Sequence, residues 1–187
     1  MTLALLTGPA AEPVTLAEAR AHLRLDGTEE NPLVEALIAA ARAALEAETR
    51  RAFVTQSWRL TLDDWPADPV RLPLAPVAAV TAVKVASLSG AMLPIDPGFY
   101  ETDLAGEPPR LAAKRGQAWP MPATRLAGIA VDFTAGYGAA ADVPPPLKQA
   151  LLFLVAHWFE NREPTGSGNE LPRTITALVA PYRRVRL

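Results

Sequence analysis

Apolar positions change their period twice along this chain, from three-and-four spacing to alternation and back. Leu16, Ala19 and Leu23 form the first helical stripe. Thr15 and Glu18 ahead of it make a capping box, in which a hydroxyl and a carboxylate each take an orphan amide of the first turn. Asp26-Gly27 is the expected stop. Asn31-Pro32 predicts a second start, a cap followed by proline at the first helical position. Leu33, Leu37, Ala40, Ala41, Ala44 and Leu45 then form an inner face, running to about Ala52. Glu35, Arg42, Glu46 and Arg50 lie outside, with Glu46 and Arg50 as an i,i+4 pair.

From Gln56 the period becomes two. Trp58, Leu60 and Leu62 alternate with polar neighbours, as do Val70, Leu72 and Leu74, then Val83 and Val85, then Ile129, Val131 and Phe133. Ser89-Gly90 supplies a turn before Leu93 and Ile95. Pro73, Pro76, Pro94 and Pro97 confine these strands to edges or ends, because proline has no N–H for a ladder. Helical character returns at Leu147 after three prolines and should end by about Arg162. Only Lys148, Gln149 and His157 are polar from Leu147 to Phe159. Lys148 shares its side with Leu152, Val155 and Phe159, so this helix lacks a solvent face and must be covered all round. Leu151, Leu154, Trp158 and Phe159 are its expected core positions. Thr174 should cap a last helix carrying Ile175, Leu178 and Val179, stopped by Pro181.

The fold class these elements predict is α+β: a helical bundle formed by the N- and C-terminal helices, with a small antiparallel β-sheet region inserted. The expected parts are 1–54 helical, 55–142 β-rich and 143–187 helices and tail, in one composite domain.

Composition narrows the chemistry. The chain has 187 residues and is 50% hydrophobic, enough for a core without staples. It has no cysteine, which removes disulfides and thiolate metal sites, and His22 and His157 lie on separate helical segments. No signal peptide or membrane-spanning stretch is legible, so a soluble, cytoplasmically made protein is expected. A net charge of -2 argues against the whole chain embracing nucleic acid. The charge is uneven, however: Arg173, Arg183, Arg184 and Arg186 stand beyond Glu170 with no acid among them.

Candidate catalytic groups dissolve into structural roles. Asp63-Asp64 fits a turn, since adjacent strand residues point to opposite faces. His157 with Glu160, Arg162 and Glu163 fits a paired, solvated helix end. Ser167 lies between glycines with no nucleophile-elbow setting. The four tryptophans lack interleaved basic residues for stacking on bases and fit core or interface packing. No phosphate loop or dinucleotide fingerprint occurs. No enzymatic activity and no cofactor are expected.

An ordered set of short motifs resembles the head–tail connector (adaptor) proteins of long-tailed bacteriophages. It comprises Pro13 to Arg24, Glu48-Thr-Arg-Arg-Ala-Phe53, Gln56-Ser-Trp58, Leu72-Pro-Leu-Ala-Pro-Val77, Phe133-Thr-Ala-Gly-Tyr-Gly138, Val143-Pro144, His157-Trp-Phe-Glu-Asn-Arg162 and Leu178-Val-Ala-Pro-Tyr-Arg183. A prophage or gene transfer agent of a GC-rich bacterium suits the alanine- and arginine-rich composition.

The resemblance implies a non-enzymatic ring of twelve copies beneath the portal protein. Such a ring extends the DNA channel and presents a platform to the next neck or tail protein. It passes DNA without sequence-specific binding and needs no membrane. It would assemble in the bacterial host cytoplasm and end in the particle neck. Carried onto this chain, the segment reaching the portal is Pro181 to Leu187, with Tyr182, Arg183, Arg184, Arg186 and Leu187 as contacts. Part of the Leu151–Phe159 helix would then meet an adjacent subunit. The alternatives are a DNA-binding accessory protein or another neck component, a stopper or tail terminator.

Overall fold

The computed structural model describes residues 1–67, 69–161 and 171–183. They form two compact units, each discontinuous in sequence: Met1–Ala10 with Thr55–Tyr137, and Ala11–Val54 with the described residues from Gly138 onward.

The second unit is helical: α1 (Leu16–Leu23), α2 (Asn31–Thr49), α3 (Pro145–Glu160) and α4 (Arg173–Val179). The capping box forms as expected. Glu18 N donates to Thr15 Oγ1 at 3.1 Å, and Thr15 N donates to Glu18 Oε2 at 2.7 Å. The Thr15 amide, then its hydroxyl, hold the Glu18 carboxyl below its usual range. α1 stops earlier than Asp26-Gly27, at Arg24, whose φ of 56° is left-handed. Arg20 sustains that exit by donating through Nη2 to the Gly27 carbonyl at 2.7 Å. α2 likewise ends at Arg50, φ 56°, short of Ala52, and its N-cap residue is Glu30 rather than Asn31.

The buried stripe of α2 is Val34, Ile38, Ala41 and Leu45, one position round from the stripe led by Leu33 and Leu37. The two β-branched side chains take the centre and the leucines flank them. Glu46 pairs with Arg42 at 2.8 Å, not as expected with Arg50. α3 touches α1, α2 and α4. It buries Leu147, Ala150, Leu151, Leu154 and Val155, while Leu152, Phe153, Trp158 and Phe159 are half-buried and His157 is exposed. Within this chain, therefore, α3 has one covered face, not cover all round. In α4, Ile175 and Val179 are buried; Pro172 holds the N-cap position and Thr174 lies inside the helix.

The first unit is built of β1 (Thr2–Thr7), β2 (Gln56–Leu62), β3 (Val70–Arg71), β4 (Val77–Ala86), β5 (Met92–Pro94), β6 (Tyr100–Asp103), β7 (Arg110–Ala113) and β8 (Ile129–Ala135). A five-stranded antiparallel sheet runs β1-β2-β8-β4-β5, and a three-stranded one runs β3-β7-β6. β8 is central, with Ile129, Ala130, Val131, Asp132 and Phe133 all buried, so both faces of its pleat are covered.

The expected helical bundle with a small inserted sheet is corrected by this arrangement. The fold is mixed α+β, with four helices and two antiparallel sheets among the described residues. The β part opens with β1, ahead of every helix, so it is not an insertion. β1 carries no strand signal of its own, because Thr2-Leu-Ala-Leu-Leu-Thr7 does not alternate cleanly and five of its six residues are exposed. β6 and β7 are likewise weak in sequence, being short and charged.

Candidate functional site

The chain's polar constellations are structural braces, and the end of α2 shows how. Arg42 donates through Nε to Glu12 and through Nη1 to Glu46, both at 2.8 Å. Burial opposes the charge on Arg42, but those two carboxylates more than offset it and raise its pKa. Glu46 also accepts the Phe53 amide at 2.7 Å, so the chain leaving α2 is pinned back onto it. Beside this, Arg51 donates through Nε to the Tyr182 carbonyl at 2.8 Å, and Arg183 pairs with Glu48. The root of the C-terminal arm is thereby fastened to the end of α2.

In the sheet unit, Asp132 on β8 accepts from Arg59 of β2 through both oxygens, at 2.6 and 2.8 Å, and from Lys84 of β4 at 2.9 Å. The Arg59 bonds foremost hold the Asp132 carboxyl below its usual range. Three strands are clamped by one carboxylate. Trp65 and Trp119 stack with centroids 4.1 Å apart and planes 7° from parallel, Tyr100 lies against Trp119 at 6.0 Å, and Trp65 Nε1 donates to the Pro120 carbonyl at 2.9 Å. This stack ties down the 114–128 loop. Neither brace was legible as a pair in the sequence; opposite charges at outward strand positions were the available signal for Asp132.

The candidate chemistry of the sequence finds ordinary places. Asp64 accepts the amide of its neighbour Trp65, a local bond, while Asp63 accepts the distant Ala127 amide and ties its bend to that loop, each at 2.8 Å. Asn161 Nδ2 donates to the His157 carbonyl at 2.8 Å, while Arg162, Glu163 and Ser167 lie outside the described residues. Among the described residues no three metal-binding side chains converge, and no helix is long and apolar enough to cross a membrane.

The expected docking residues separate. Leu151 and Leu154 are buried in the helical unit, and Trp158 and Phe159 are half-exposed at the last turns of α3. Tyr182 is half-buried and Arg183 exposed at the fastened root of the arm. Arg184, Arg186 and Leu187 lie outside the described residues.

Known proteins carry the same architecture. The model of the phage gp6-like head-tail connector proteins matches residues 13–89. A chain in the neck of an empty gene transfer agent (GTA) particle, computed with C6 symmetry, is 31% identical, with a TM-score of 0.85 over 100% of this chain and 97% of its own. The chain belongs to the phage head–tail connector family. Two further GTA structures contain chains similar to this connector, each with a TM-score of 0.82 and the same coverage. One is the virion of the native particle, at 32% identity, and the other its neck computed with C12 symmetry, at 31%. No curated protein matches the connector's sequence.

Proposed function

We propose that this connector is a structural adaptor in the neck of a tailed phage or gene transfer agent particle. Twelve copies form a ring below the portal, extend the DNA channel and receive the next neck or tail protein. The observation that carries this is end-to-end likeness, at 31% identity, to a chain of a GTA neck computed with C12 symmetry. The role is mechanical rather than enzymatic: it is made in the bacterial host cytoplasm and ends in the particle. DNA passes through without sequence-specific binding.

The C-terminal arm is the portal contact in this reading, through Tyr182, Arg183, Arg184, Arg186 and Leu187. Guanidinium groups suit the carbonyls and carboxylates of a protein surface. The fastening of Tyr182 and Arg183 to α2 supports the reading, because it fixes where the arm departs. Trp158 and Phe159, half-exposed at the end of α3, are proposed to meet an adjacent subunit.

Imaging the chain mixed with its portal tests the assignment. A ring on the portal is the expected result, lost on deletion of residues 182–187 while the fold survives. No ring, together with tight salt-sensitive DNA binding by the free chain, would instead favour a DNA-binding accessory protein.

A further inference from the structure

Apart from Met1 and Leu126, the large apolar side chains left exposed in the sheet unit gather at two separate corners of the five-stranded sheet. Leu5 (50% exposed) stands on the edge strand β1 in the row of Trp58, Phe133 and Val80, and Leu6 lies next to it at the register shift between Leu5 and Thr7. Leu88 (96% exposed), in the turn, and Met92 and Leu93 of β5, opposite Ala86 and Val85, stand on the β4–β5 hairpin at the other edge. Met121 joins the second corner, because Ala123 N donates to the Ala86 carbonyl at 2.9 Å and brings its loop alongside. Four strand spacings, about 19 Å, separate the two edges.

The segments that carry the two corners have no ionisable side chains. Residues 2–11 contain no ionisable side chain, nor do 85–95 or 116–124. Charge depletion with exposed leucine and methionine marks the centre of a protein–protein contact rather than a solvated face. Neither edge is built to continue the ladder into another strand. β1 is interrupted by a register shift between Leu5 and Thr7, and β5 is three residues long and ends on Pro94. Contact at these corners is therefore made by side chains.

We propose that the two corners are the two halves of one head-to-tail contact between copies of this chain, Leu5 and Leu6 of one copy packing on Leu88, Met92 and Leu93 of the next. A closed ring of identical subunits requires two different, mutually complementary patches on each copy. Uncharged apolar patches on opposite edges of one sheet meet that requirement. The inference rests on the ring reading above and adds which surfaces close it.

The absence of native cysteine makes the test clean. Leu5→Cys, Leu88→Cys and the double variant are assembled with portal, imaged, and treated with a short bis-maleimide. Both side chains replaced are exposed, so melting should match the parent chain. The double variant is expected to give a covalent ladder of multiples, and each single variant none, because Leu5 meets Leu88 and not itself. An imaged ring that yields no ladder, or a covalent dimer from either single variant, overturns the contact and leaves the ring standing. Failure of the parent chain to form a ring overturns both. As an independent arm, Leu5→Asp should abolish the ring at unchanged melting temperature; an intact ring refutes the proposal.

Discussion

Arg51 donates through Nε to the main-chain oxygen of Tyr182 at 2.8 Å, joining the end of α2 to the residue before the basic arm. The bond spans 131 residues of sequence and involves an arginine that is only 9% exposed. Beside it the Arg183–Glu48 pair is more than one-third exposed on both sides, so water screens it.

The two fastenings should therefore differ in worth. Arg51→Ala is expected to lower unfolding free energy by about 1.5–3 kcal/mol, the range for a hydrogen bond to a charged group. Glu48→Gln should cost under about 1 kcal/mol. Urea titration of the two variants decides; equal losses would contradict the ranking.

Leu154 and Trp158 should part company in the same way. Leu154→Ala empties a fully buried site of α3 and should cost about 2–5 kcal/mol. Trp158→Ala removes a half-exposed ring and should cost the free chain less, while weakening ring formation on the portal. Melting and imaging, made on both variants, separate core from contact.

Asp132 sets a pH dependence. Its folded pKa lies below the ordinary value of 3.8, so its stabilisation is complete above that value and is lost as pH falls through the lower folded value. Asp132→Asn should be about 1–3 kcal/mol less stable at neutral pH. Parent and variant should converge only below pH 3.8. Denaturation series from pH 7 to 2.5 test this; convergence at pH 5 would be inconsistent with the clamp.

Trp119→Ala should remove the stack on Trp65 and release the 114–128 loop. A loss of about 0.5–1.5 kcal/mol beyond buried area is expected. Near-ultraviolet circular dichroism should lose the paired-indole signal, and proteolysis should cut that loop first. Cleavage elsewhere would argue against the stack as its anchor.

Local chemistry was the readable part of the sequence. Thr15 and Glu18 announced α1, and alternation around Trp58 and Val131 announced β2 and β8, because caps and pleats act within a few residues. Helix ends were not readable: Arg24 and Arg50 adopt the left-handed conformation usually left to glycine or asparagine, so neither stop carries the usual residue signal. β1 was invisible because its order comes from β2, whose partner residues lie fifty or more positions away. The arm was readable as charge, but its fastening to Arg51 is a tertiary fact. The apolar corners needed the sheet order before Leu5 and Leu88 could be seen as opposite edges.

The strand order also has a consequence for synthesis. β8, the strand that joins the β1–β2 pair to the β4–β5 pair, leaves the ribosome after all four of them. Until Ala135 has emerged, β2 and β4 have no common neighbour and their apolar faces stay uncovered. A nascent chain stopped short of that residue is an aggregation hazard rather than a partial connector. Manufacture thus imposes its own quality control: only chains read through β8 can supply a subunit.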